Sequence, residues 1–226
     1  MVTWDVQEMQ EQLASILDNS SSAPTAGGTD WNIRLNLLNR AQLDWAEVYD
    51  WRALLKTINT RTSVASSNAT ITLPSDFRKL ASFPEITWDG SATYIFPEVD
   101  QTTRLQYADT DPYVSIIGNP RDNYTLILHP ASIVSGASIY YTYFSSPASL
   151  ASAVDQTNCP DPSYLVEKAA YYFLRGREDT RYNEALARSE AILSRLVENE
   201  NTRGEAFDDR VKTVLETKHS FRIGRD

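Results

Sequence analysis

Twice along the 226 residues the spacing of apolar side chains changes, from the 3.6-residue repeat of a helix to the alternation of a strand and back again. A chain written this way has two kinds of surface to bury, a helical stripe and a sheet face. In the first stretch Val6, Met9, Leu13, Ile16 and Leu17 recur at helical spacing, with Thr3 placed to cap the helix and Asp18 near its end. A polar loop over 19–28 separates it from the strongest helical pattern, predicted over 31–58 behind Thr29 and Asp30. There Trp31, Leu35, Leu38, Trp45 and Tyr49 share one stripe, and Leu37, Ala41, Val48 and Leu55 lie beside it. A stripe of that width suits a helix packed on more than one neighbour.

From Arg61 the period drops to two. Residues 69–73 alternate, Pro74 to Phe77 turn the chain, and 85–88 with 92–96 predict a hairpin across Asp89 and Gly90, a pair that suits a type I′ turn. A short helix is predicted over 98–107. Strands over 113–117, 124–129 and 137–143, with a turn at Gly118, Asn119 and Pro120, complete an antiparallel set. Helical spacing returns behind Asp161 and Pro162, where the missing N–H of a first-turn proline costs nothing. It predicts helices over 164–175 and 182–198, broken around Gly176, while 201–226 shows no persistent period. The resulting expectation is an α+β fold: a bundle of about four helices from 1–60 and 160–200, an antiparallel β-domain inserted as 61–147, and an extended C-terminal tail over 201–226.

Acidic residues outnumber basic ones by 30 to 21, and the net charge of −9 opposes non-specific binding to nucleic acid. That excludes a simple DNA-coating role but suits a surface past which DNA slides without sticking. Five Trp and twelve Tyr fit a core, or interfaces where one end of the ring stays wet. No apolar run approaches the ~18–20 residues that span a bilayer, so no membrane partner is expected. The first residues lack the basic-then-apolar order of an export signal, and the sequons at Asn68 and Asn123 are read as chance. Cys159 is the only cysteine, which leaves no internal disulfide and agrees with assembly in a reducing cytoplasm.

Motifs that carry chemistry are missing from the sequence. His129 and His219 pair with Cys159 at no metal-ligand spacing, so neither metal nor cofactor is expected. No phosphate-cradling glycine loop, nucleophile elbow or H-E-x-x-H pair occurs. Asp109 and Asp111 begin like a calcium loop, without the later glycine and glutamate. No catalytic residue is assigned, and the expectation is a protein that is not an enzyme. The mixed-sign face of Arg181, Glu184, Arg188, Glu190 and Arg195 is either solvated or lines a contact between identical neighbours.

Several segments carry a resemblance. Residues 34–45, followed by the aromatic Val48, Tyr49, Asp50 and Trp51, resemble the second helix and its exit in head-to-tail connector (adaptor) proteins of tailed bacteriophages, the family that includes podophage tail tubular protein A. Leu73, Pro74, Ser75, Asp76 and Phe77 are similar to a phrase at the opening of that family's β-region. Residues 159–173 resemble its next helix, with an acidic-proline start, and 182–191 look like its final glutamate- and alanine-rich helix. The likeness spans residues 1–200 in order and type of element; the β-region is longer than in the smallest members, which implies extra hairpins.

The resemblance implies a ring of twelve copies in the virion neck, seated beneath the portal and continuing the DNA channel. Its partners would be further copies of itself, the portal protein, and downstream tail or nozzle proteins. Genomic DNA would pass through the lumen without sequence-specific contact, and carboxylates on the wall would repel its phosphates. The family's C-terminal tail docks on the portal. Here the corresponding candidates are Lys218, His219, Phe221, Arg222, Ile223 and Arg225, with Phe221 and Ile223 as apolar anchors and the arginines meeting carboxylates. Two other readings stay open: a tail stopper, completion or nozzle protein of the same particle, and a cytoplasmic hydrolase or ligand-binding module. The first differs in its partner; the second needs polar groups converging in a pocket.

Overall fold

The structure, a computed structural model, describes the chain except residues 1–3, 62, 66–67, 83, 89–91, 101, 104–105, 108–111, 120–122, 130–135 and 221–226. At 61, 63–65, 68, 88, 92–94 and 203–220 it describes the backbone alone. Two compact units result, Met1–Ala53 with Ala148–Asp226, and Leu54–Pro147. The fold is α+β, with four helices in the first unit and antiparallel sheets in the second.

Helix α1 (Val6–Asp18) is capped by Asp5 rather than Thr3. The Asp5 carboxylate accepts from Glu8 N at 2.8 Å and the Glu8 carboxylate accepts from Asp5 N at 3.0 Å, a reciprocal box that satisfies two otherwise orphaned donors. Helix α2 (Thr29–Val48) buries Trp31, Leu35, Leu38, Ala41 and Trp45. It ends ten residues before Ile58. Tyr49 is extended at φ −149°, and Trp51 folds back to stack on Trp45 with ring centroids 5.0 Å apart. The Trp51 indole N–H donates to the Trp45 carbonyl at 2.6 Å, satisfying one of the acceptors that a helix end leaves open. Leu55, expected on the helix flank, is instead in a strand.

Helices α3 (Ser163–Gly176) and α4 (Tyr182–Ser220) follow the β-unit, and α3 packs against each of the other three. Buried Arg34 joins them at depth. Its guanidinium pairs with Asp18 at the end of α1 and lies 5.9 Å from the Phe173 ring centroid of α3. The segment that returns from the β-unit is held on α2 by amides. Asn39 donates to Leu150 O at 2.9 Å and accepts from Leu150 N at 2.8 Å, imitating a strand pair, while Gln42 donates to Ala148 O at 2.7 Å.

In the second unit β1 (Leu55–Arg61), β4 (Phe77–Leu80), β5 (Glu85–Trp88), β6 (Ala92–Ile95) and β9 (Ser138–Ser145) form one sheet. Its order is β1-β9-β5-β6, with β4 also on β9. The other sheet is β2 (Ser63–Ala65), β3 (Asn68–Thr72), β8 (Asn123–His129) and β7 (Tyr113–Asn119), in the order β2-β3-β8-β7. Every pairing is antiparallel. Period-two alternation drives the packing: Ile139, Tyr141 and Tyr143 of β9 point into a core shared with Ile71, Phe77, Ile86, Val114, Leu126 and Leu128. Phe77 links the sheets, edge-on to Tyr124 of β8 and stacked on Tyr143 of β9.

The expected turn over Pro74 to Phe77 forms, closed by the Phe77 N–H on the Pro74 carbonyl at 2.9 Å, and Phe77 also opens strand β4, its ring buried between the sheets. Two sequence expectations are corrected here. Over 98–107 the described residues form no α-helix: Asp100 accepts from the backbone and hydroxyl of Thr102, a local turn that competes with helix, and Gln106, whose N–H donates to Thr103 O at 2.9 Å, has 3-10 geometry. Residues 201–220 are not an extended tail but continue α4 to Ser220. Phe207, Val211, Val214 and Leu215 stand at helical spacing there, a signal diluted by Gly204 and by mixed charge.

Candidate functional site

The residues most open to chemistry are occupied structurally. His129 stacks on Tyr113, its cross-strand partner, at 4.3 Å between centroids, and its Nε2 lies 3.4 Å from the Ser115 hydroxyl. Cys159 is buried, its thiol donates to the Asp161 carbonyl at 3.3 Å, and burial pushes its pKa up to about 12. A thiol held neutral in this way is a poor nucleophile. Among the described residues no three His, Cys, Asp or Glu side chains converge to hold a metal. Asp109 and Asp111 lie outside the described residues, as do Phe221, Arg222, Ile223 and Arg225; Lys218 and His219 are on the helical backbone of α4.

The charged face of α4 is exposed, and its arginines pair along the surface within their own unit. Arg188 pairs with Glu184 one turn back and, at 3.6 Å, with Glu167 of α3. Arg195 pairs with Asp161 just ahead of α3, and Arg181 pairs with Asp179 and donates to Ile16 O of α1 at 3.3 Å. Burial raises the Glu167 pKa, which Arg188 counters by favouring the charged form. These ion pairs fix how α4 lies on α3, so three of the arginines seen in the sequence are committed within the chain.

Among these charges the unit also exposes large apolar side chains. Ile33, Leu43 and Val48 of α2 are exposed, Val48 by 52%. At the end of α2 Tyr49 donates to Asn201 at 2.6 Å, and Arg52 lies 4.0 Å from Glu200. Above this clasp Val48 faces Leu193, Ser194, Val197, Glu198, Asn201 and Thr202 of α4 across an open groove of about 580 Å³. Its floor is aliphatic, with a carboxylate at the side. Such a groove receives the apolar face of a helix. The sequence pattern had placed Val48 beside a buried stripe; the early end of α2 leaves it at the surface, and Leu193 with Val197 was the available signal, two aliphatic residues one turn apart on a charged helix.

None of the described helices is long and apolar enough to cross a membrane. Comparison with curated proteins gives no match. The family model described as SU10 adaptor protein matches residues 4–212, which takes in α1 to α3, both sheets and α4 as far as Lys212. This agrees with the likeness to phage adaptors carried by residues 34–51 and 159–191, and with so much of its length matched the chain belongs to the SU10 adaptor protein family.

Proposed function

We propose that this protein is a structural subunit of the virion neck, a head-to-tail adaptor that forms a ring of twelve copies beneath the portal. The match over residues 4–212 carries this reading. The ring continues the DNA channel toward the downstream tail or nozzle proteins, and the genome leaves through it without sequence-specific contact. Its acidic balance keeps phosphate from sticking to the wall. The subunit carries out no chemistry, needs no cofactor, and is assembled in the host cytoplasm.

The end of the chain is the portal-docking element in this reading. Lys218, His219, Phe221, Arg222, Ile223 and Arg225 combine two large apolar side chains with cations, the composition of a short anchor that meets an acidic, partly apolar cleft. Purified protein mixed with portal rings and imaged by negative-stain electron microscopy tests the whole. A collar of twelve subunits under the portal is expected, and deletion of 217–226 should abolish it while leaving the helical signal of the bundle. A protein that ignores the portal and binds only completed portal–adaptor assemblies is a stopper instead. A basic inner wall in the assembled ring contradicts the role given to its acidity.

A further inference from the structure

An acidic chain offers a carboxylate to nearly any cation, and Arg34, Arg52, Lys56, Arg181, Arg188 and Arg195 each take one at 4.0 Å or less. Arg40, Lys168 and Arg175 take none among the described residues. They gather instead on two tyrosines of α3. Lys168, Tyr171, Tyr172 and Arg175 fall at i, i+3, i+4 and i+7, on one face of that helix. Arg40 reaches them from α2, its guanidinium carbon 4.1 Å from the Tyr172 ring centroid. The Lys168 ammonium lies 5.2 Å from the Tyr171 centroid and 5.6 Å from that of Tyr172, and Arg175 donates to the Tyr171 hydroxyl at 2.7 Å. Arg40 and Arg175 are exposed and Lys168 is half-buried.

A ring holds a cation in place without neutralising it. A guanidinium over a ring keeps donors along its edge, in the fork that fits a carboxylate or phosphate at two points. Cations held this way lose little freedom when an anion arrives. The acids at hand do not use them. Asp44 accepts from the Tyr172 hydroxyl, exposed Glu47 lies two turns past Arg40 on α2, and the charges of Arg177 and Glu178 beyond α3 cancel. The face is therefore positive on a molecule of net charge −9. Two exposed aliphatic residues flank it on α2, Ile33 two turns before Arg40 and Leu43 about one turn after. Aliphatic side chains beside arginine and tyrosine make a surface suited to protein, whereas surfaces that hold DNA are more polar and far more basic.

We propose that the face built by Arg40, Lys168 and Arg175 on Tyr171 and Tyr172 docks an acidic, partly apolar segment of a different protein. Carboxylates of that segment meet the three cations, and its aliphatic side chains cover Ile33 and Leu43. Lys168 and Arg175 stand ~10 Å apart along α3, the spacing of carboxylates two turns apart on a helix laid beside it. The inference deepens the adaptor reading by giving the chemistry of a partner's surface, and it rests on that reading for the partner being a neighbour in the virion neck.

Fluorescence anisotropy of the full chain with three labelled probes tests the face: a synthetic helical peptide with glutamates and leucines on one side, the same peptide with glutamine for glutamate, and duplex DNA. The glutamate peptide should bind about tenfold more tightly than the glutamine peptide, the sum of three exposed ion pairs. High salt should erase the difference. R40Q/K168Q/R175Q should lose the preference with its circular dichroism unchanged, while R52Q, outside the face, should keep it. K168Q alone, which removes no hydrogen bond, should lose part of it should the triple variant not fold. Equal binding of the two peptides, or a preference that survives in high salt or in the folded triple variant, overturns the proposal. DNA bound as tightly as the glutamate peptide overturns it in favour of a nucleic-acid surface. Collar formation on portal rings is read separately. A collar from a protein without the preference overturns this face alone, and the preference in a protein that ignores the portal supports the face and overturns the portal role.

Discussion

Replacing Gly204 by proline asks directly whether α4 is one helix. Gly204 lies two residues past Thr202, where the description of side chains ends, and sixteen helical residues follow it. Inside a helix proline removes the hydrogen bond to the carbonyl four residues back, here that of Glu200, and its ring collides with that carbonyl; the cost is ~3 kcal/mol or more. Cut from the bundle, 205–220 is a short segment with little alanine, and isolated helices of about 12–15 residues are marginal in water even when alanine-rich. It should fray. About a fifth of the residues in the four helices would then be lost from the helical signal in far-ultraviolet circular dichroism. Thermal stability should hardly change, because the packed residues Ala185, Leu196 and Glu200 precede the break. G204A should move the other way, gaining up to ~1 kcal/mol of helix stability. A G204P spectrum that superimposes on the parent refutes the continuous helix and restores the extended tail.

Three further outcomes follow from the fold. Gly118 has φ +111°, and a Cβ there would stand 2.3 Å from the Asn123 carbonyl, whereas Gly136 at φ +72° has open space. G136A should therefore cost ~1 kcal/mol and G118A ~3 kcal/mol or more, read as Tm losses of ~2–4 °C per kcal/mol; equal losses would contradict the described hairpin. Asn39→Ala strips both partners from the buried Leu150 backbone and should cost ~1–3 kcal/mol by urea denaturation; a neutral result means water replaces the amide. Burial raises the Asp76 pKa, but hydrogen bonds from Lys56 and Tyr143 outweigh it and hold the carboxyl below its ordinary value. Its contribution is present above the unfolded pKa of ~4 and lost as pH falls through the folded one, so D76N should flatten the fall in Tm between about pH 5 and about pH 3. Parallel Tm curves would refute that.

The sequence disclosed elements where one period ran unopposed. Helices α1 and α3, and strands β3, β5, β7, β8 and β9, were legible because their apolar residues repeat cleanly. Three places misled for physical reasons. The helical pattern from Trp31 runs on through Val48 and Leu55, yet Trp51 gains more by stacking on Trp45 than by extending α2, a tertiary preference with no local signature. Strand β1 was hidden inside that false continuation, although Lys56, Ile58 and Thr60 alternate and pair with Tyr143, Tyr141 and Ile139. The distal half of α4 was taken for tail because its four apolar residues are scattered among eight charged ones, so the helical spacing is weak residue by residue. Of the groove only one wall was legible, Leu193 and Val197 one turn apart, since the rest depends on where α2 stops relative to them. Family, by contrast, was readable from turn and packing phrases such as 34–51 and 159–173, which record how elements begin and end rather than any chemistry.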